Sequence, residues 1–185
     1  PEDLLESYDR ERRPVANNNA DFSLENALKM MGLFDLAGVY AEPGTQLTIA
    51  DLQADQAQWE KLQASIEDQR VHFDGLALHL GAHYGRNEAP DPLDAQVQWL
   101  QVGARLPHVV LRREGEDISS HDLLSATQFT LLVGPAFSSD GFEVSLPHCV
   151  MSYPADFEAS DEALQALGLS NAAVLVRPDG HIAAL

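Results

Sequence analysis

Apolar and polar positions alternate along this chain in two different rhythms. From Asp3 to Ala16, Leu4, Leu5, Tyr8 and Val15 stand among Glu6, Asp9, Arg10, Glu11, Arg12 and Arg13, which predicts a charged helix with a narrow apolar stripe. Pro14 is expected to kink or end it. Asn17 to Asp21 is polar and loop-like, although it could extend the helix weakly. Ser23 is placed to cap a helix over Leu24 to Met31, with Gly32 as its stop. Phe34 to Thr48, with Gly38, Pro43 and Gly44, reads as an exposed connection. Thr48 or Asp51 then opens a helix running to about Arg70, in which Leu52, Trp59, Leu62 and Ile66 fall near helical spacing.

The rhythm changes in "LALHLGAHY". Leu76, Leu78 and Leu80 alternate with Ala77, His79 and Gly81, a period of two that predicts a strand. "NEAPDPLD" interrupts it with two prolines. Short strand-like pieces follow around Gly103 and Pro107. Phe129 to Val133 reads as a compact buried strand and "HCVMSYP" as a second short apolar run. "SDEALQALGL" reads as an amphipathic helix capped by Ser160 and ending at Gly168. "AAVLVRPDGHIAAL" reads as a hairpin turning at Pro178-Asp179-Gly180. The fold class is therefore mixed α/β, helical over 1–70 and strand-rich over 71–185, with an ending that suits a thioredoxin-like sheet.

Charge and composition narrow the function classes. The 185 residues carry 29 acidic against 11 basic side chains, a net charge of −18, which disfavours binding to a phosphate backbone. No apolar run approaches the ~18 residues that span a bilayer. A single cysteine, Cys149, builds no disulfide framework, zinc cluster or CxxC pair and fits a reducing cytoplasm. The opening segment is charged throughout and has no Met. The chain is expected to be a piece of a longer one.

Several constellations bear on chemistry. His79 and His83 stand four apart, a metal-ligand spacing on a helix, and Asp74 is the nearest acidic candidate for a metal-dependent hydrolase. On a strand the two histidines would instead lie two pleats apart, and the reading favoured is of histidines without a metal. Cys149 follows His148 directly. Neighbours on a strand point to opposite faces, so an inert thiol is expected rather than a nucleophile with its base. Arg10, Arg12 and Arg13 lie among Asp9 and Glu11 and are read as surface charge pairs. Trp59 and Trp99 are read as packing residues. "GPAFSSDG" lacks the strand–GxGxxG–helix pattern of a dinucleotide site. No catalytic, cofactor-binding or metal-binding residue is assigned.

Four stretches in order carry a resemblance. "LLESYDRERRPVA" (Leu4 to Ala16) resembles the helix after the second flavin-binding motif of class A flavoprotein aromatic hydroxylases. "HFDGLALHLGAHYG" (His72 to Gly85), "GARLPHVVL" (Gly103 to Leu111) with "DISSHDLLSATQFTLLVG" (Asp117 to Gly134), and "VLVRPDGHIA" (Val174 to Ala183) resemble the phenol-hydroxylase branch, nearest to 2,4-dichlorophenol-type monooxygenases. The resemblance implies a parent enzyme that uses FAD and NAD(P)H to hydroxylate a (chloro)phenol-type ring, with the cofactor carrying the hard chemistry. It implies that 1–70 is a helical remnant of the FAD and substrate domain and that 71–185 is a thioredoxin-like domain without CxxC. The family's GxGxxG, DG and GD motifs are not in this sequence, so no flavin residue is carried over. The implied partner is an N-terminal FAD-binding and substrate domain, with a homo-oligomer also open.

Two departures from the family pattern stand out. The final strand ends in Ala184 and Leu185 where the family reads on to a Trp and an Arg. Between the "FTLLVG" strand and the next, only Pro135 to Pro147 is available, so a loop or single turn is expected in place of a helix. The apolar faces of Leu4, Leu5, Val15, Leu24 and Leu28 would pack on the implied domain. Without it, self-association or mobility over residues 1–50 is expected. A second reading is a free-standing, redox-inactive thioredoxin-like binding module, whose N-terminal helices would pack on its own sheet.

Overall fold

A computed structural model describes residues 2–86, 100–137 and 144–185. They fall into two compact units, the first up to His79 and the second comprising Leu80–Arg86 and the described residues from 100 to 185.

The first unit is helical. Helix α1 (Glu2–Leu36) is one continuous element of 35 residues with Pro14 inside it. The break expected at Pro14 and the separate helix expected from Ser23 are not found. A proline removes one ladder bond and crowds the carbonyl four residues before it, while the turns on either side keep theirs. Ser23 is no cap: its hydroxyl donates back to the Asn19 carbonyl at 2.7 Å, as serines do inside helices. Gly32 lies within the helix. The helix ends at Leu36, two residues before Gly38, whose φ of 69° is the left-handed conformation that terminates helices.

Thr48 caps α2 (Ile49–Ala54). Its hydroxyl accepts from the Asp51 N–H, and the Asp51 carboxylate accepts from the Thr48 N–H in return. Asp55 then starts α3 (Gln56–Asp68), accepting from the N–H groups of Ala57 and Gln58, so the single helix expected from Thr48 to Arg70 is two. Lys29 of α1 pairs with Glu25 and reaches Asp68 of α3, and the Gln58 side chain donates to the Leu36 carbonyl. Two short helices follow, α4 (Arg70–Asp74) and α5 (Leu76–Leu80). The strand expected at Leu76 to Leu80 is therefore a helical turn, with Ala77 and Leu78 adjacent and both buried. Over five residues the two periods differ too little for alternating leucines to decide between them.

The second unit holds the strands. β1 (Val110–Arg113) and β2 (Glu116–Ser119) form an antiparallel hairpin turning at Glu114-Gly115. Ser119 then caps a 3-10 turn, Ser120–Leu123. The main sheet contains β3 (Phe129–Val133), β4 (His148–Ser152), β5 (Ala173–Val176) and β6 (Ile182–Ala184), in the spatial order β4-β3-β5-β6. β3 and β4 are parallel, while β5 is antiparallel to β3 and β6 to β5. Helix α6 (Asp161–Ala166) is capped by the Ser160 hydroxyl, which accepts from Ala163 N–H. β3, β4, α6 and the closing β5–β6 hairpin lie where the sequence places them.

Phe157, Leu106, Leu111, Leu123, Leu132, Leu164, Leu167, Leu169, Val174, Val176 and Ile182 build a continuous core in this unit. Gly134 lets the chain leave β3 beside Leu169. Any Cβ there would collide with the Leu169 carbonyl. The expectation of a loop or single turn between Pro135 and Pro147 falls partly on residues 138–143, outside the described residues. The part before them is a turn closed by Phe137 N–H to the Gly134 carbonyl at 3.4 Å.

Candidate functional site

The residues singled out in the sequence do not converge. His79 is exposed on α5, and Asp74 accepts from Arg70 Nε at 3.1 Å, one turn away on α4. Among the described residues no group of three His, Cys, Asp or Glu side chains is arranged to hold a metal ion. His148 Nδ1 lies 2.8 Å from the Leu146 carbonyl, whereas the Cys149 thiol lies 3.5 Å from the Thr130 hydroxyl and donates to the Phe129 carbonyl at 3.6 Å. The two neighbours thus make separate contacts. Arg13 pairs with Asp9 along the exposed surface of α1. Trp59 is half-buried on α3, and Trp99 lies outside the described residues.

A polar constellation that the sequence reading did not single out lies elsewhere in the described residues. It joins Leu80–Arg86 to the turn between β5 and β6. The Tyr84 and His181 rings stack with centroids 4.1 Å apart and planes 21° from parallel. The Arg177 guanidinium lies 4.9 Å from the centre of the Tyr84 ring. Asp179 gathers them: it accepts from the Tyr84 hydroxyl at 3.3 Å, pairs with Arg177 at 3.1 Å and accepts from the His181 N–H at 3.2 Å. His181 is buried, and burial holds its imidazole below the usual histidine range, against the pull of Asp179. The signal in the sequence was "RPDGH", read only as turn chemistry.

Gly103 makes this junction possible. Its φ is 92°, and a Cβ there would strike the Tyr84 carbonyl and crowd the His83 ring. Both ring nitrogens of His83 are buried without a hydrogen-bond partner among the described residues, and burial, helped by Arg86, lowers its proton affinity.

A cleft of about 190 Å³ lies between the β1–β2 turn and the loop after β4. Arg112, Arg113, Glu114, Asp156 and Glu158 line it over buried Phe157. Its volume is below the roughly 300–1,000 Å³ of ordinary small-molecule pockets. Its carboxylates oppose a diphosphate. No described strand leads through a glycine-rich turn into a helix N-terminus, the cradle a dinucleotide needs. This cleft therefore does not fit an FAD site.

The comparisons with known proteins place this arrangement. Residues 100–185 match the family model described as aromatic-ring hydroxylase, C-terminal. Among solved structures, the flavin-dependent monooxygenase PieE, in complex with FAD and substrate, aligns with 97% of this chain at 22% identity and a TM-score of 0.69, using 36% of its own length. The rebeccamycin biosynthetic enzyme RebC, with reduced flavin, aligns with 98% of the chain at 26% identity and a TM-score of 0.62, using 33% of its own length. OxyS anhydrotetracycline hydroxylase from Streptomyces rimosus covers the whole chain at 19% identity and a TM-score of 0.51. The chain thus spans about a third of the length of these enzymes. No curated protein matches it. The match over residues 100–185 and the likeness to these structures bear out the resemblance to the C-terminal part of an FAD-dependent aromatic hydroxylase.

Proposed function

We propose that these 185 residues form the C-terminal portion of an FAD- and NAD(P)H-dependent monooxygenase acting on a (chloro)phenol-type ring, and that they serve it structurally rather than catalytically. One observation carries the reading: the family match over residues 100–185. The alignment of nearly the whole chain with about a third of PieE and RebC supports it. PieE is described in complex with FAD, RebC with reduced flavin, and OxyS as a hydroxylase; the phenol itself rests on the sequence resemblance alone.

In such an enzyme the flavin would activate O₂. The chain's own residues supply packing surface and a stable sheet, and no step is assigned to them. In this reading residues 1–70 are the end of the FAD and substrate domain, and the partner they lack is the rest of that domain. Residues 71–185 are its thioredoxin-like neighbour without CxxC. The order β4-β3-β5-β6, a parallel pair beside an antiparallel hairpin, supports that label. No described helix is long and apolar enough to cross a membrane. A cytoplasmic setting belongs to the same proposal. The alternative, a free-standing redox-inactive binding module, draws on the self-contained core of the sheet-bearing unit.

The test is to isolate the native protein from its source with an antibody raised to this chain. A species much larger than 20.2 kDa, yellow with bound flavin and oxidising NAD(P)H when given substituted phenols, is the expected result. A colourless species of 20.2 kDa, inert towards NAD(P)H, would transfer the function to the binding-module reading.

A further inference from the structure

Within the sheet-bearing unit, one seam joins Leu80–Arg86 by its backbone to Gly103–Leu106, which is joined in turn to the C-terminal hairpin, while the Tyr84 side chain reaches the hairpin directly. Tyr84 N–H donates to the Gly103 carbonyl, Gly103 N–H to the Ile182 carbonyl, Ile182 N–H to the Ala104 carbonyl and Leu106 N–H to the Gly180 carbonyl, each at 2.8 Å. Bridge pairs join His83 to Ala104 and Arg105 to His181. Over this backbone the buried His181 ring lies flat on Tyr84.

Among the described residues, charged and aromatic groups from three segments face the imidazole. On its own hairpin they are Asp179 and Arg177, on the adjoining segment Arg105, and on the sewn-in segment the Tyr84 ring. Asp179 already accepts from a hydroxyl, a guanidinium and a backbone N–H. His181 Nδ1 is 3.4 Å from its nearest carboxylate oxygen, too far for a good hydrogen bond.

We propose that this seam is an acid-sensitive latch: with His181 neutral, Leu80–Arg86 is held on the hairpin, and protonation of His181 releases it. A proton on the ring creates a cation out of water. Among the described residues two guanidiniums lie near it, and the Asp179 carboxylate is already shared. Attraction to Asp179 and to the Tyr84 face favours the cation, and burial outweighs the carboxylate. The latched state therefore binds fewer protons than the released one. The latch is at full strength above the ordinary histidine value of about 6.5 and weakens as pH falls from there towards the lower latched-state value. His83, on the other side of Gly103–Arg105 and depressed in the same direction, adds to the effect. The inference does not depend on the proposed enzyme.

Hydrogen exchange of the whole 185-residue chain tests it, read as the protection factor at Tyr84, whose N–H ties Leu80–Arg86 to Gly103, between about pH 7.5 and 5, with β3 amides as reference. Where the two states differ by one proton, protection should fall by up to about tenfold per pH unit, while β3 stays level. In His181→Gln the fall should shrink. A flat wild-type profile, or an equal fall in wild type and variant, overturns the proposal. Because the variant loosens the packing itself, the His181 ring is also titrated by NMR in the wild type. A midpoint below about 6.5 is expected, and one at or above it overturns the latch.

Discussion

Leu132 of β3 is wholly buried, while Leu28 of α1 is 60% exposed, and the two typify their units. In the sheet-bearing unit, strands, helix and hairpin all send apolar side chains into one core. In the helical unit only Leu52, Leu62, Ala77 and Leu78 are buried apolar residues among those described. Leu5, Tyr8, Leu24, Leu28, Met31 and Phe73 of that unit are exposed. Leu24, Leu28 and Met31 recur at helical spacing, so they form a stripe, and a stripe of this kind marks a surface that packs on something else. Surface ion pairs such as Lys29 with Glu25 and Asp68 contribute little in its place. The lesson is that the described residues of one unit share a continuous core, whereas those of the other have helical form with little core.

The largest expected difference comes from deleting a leucine in each unit. Leu132→Ala should cost about 2–5 kcal/mol in chemical denaturation of the sheet-bearing unit. Leu28→Ala should stay within about 0.5 kcal/mol. Equal losses would break the comparison. Next is Gly103→Ala, which combines a left-handed backbone with a collision at the Tyr84 carbonyl. A loss of about 1–3 kcal/mol is expected, with the seam amides losing protection first. Ser160→Ala removes the cap of α6 and should cost about 1 kcal/mol in the same unfolding transition. Thr48→Ala removes an equivalent cap from α2. It should lower helical circular dichroism while leaving the sheet unit's midpoint in place. Smallest is Pro14→Ala, which restores a ladder donor within α1 and should raise helix content slightly with no change in the midpoint.

The same contrast governs what was legible in the sequence. β3, β4, α6 and the closing hairpin could be read because burial and local signal agree there: Phe129 to Val133 is apolar and inward, Ser160 stands at its cap, and Pro178-Asp179-Gly180 turns the chain. In the helical unit local signals misled. Pro14 and Ser23 carry the chemistry of helix ends, yet α1 runs through both. Asp55 divides one apolar period into two helices through its own carboxylate. Leu76 to Leu80 is too short for its period to be measured. The Tyr84–His181 junction escaped notice because it joins residues nearly a hundred positions apart, and only Gly103 and "RPDGH" hint at it.

The most direct test of the account is residue-resolved hydrogen exchange on the 185-residue chain as a verified monomer. The account predicts slow exchange in β3 and β5, and fast exchange through the first half of α1, where Leu5 and Tyr8 are exposed. Uniformly slow exchange across residues 1–50 in the monomer would contradict it, for the helices would then be stable without a further domain to cover them.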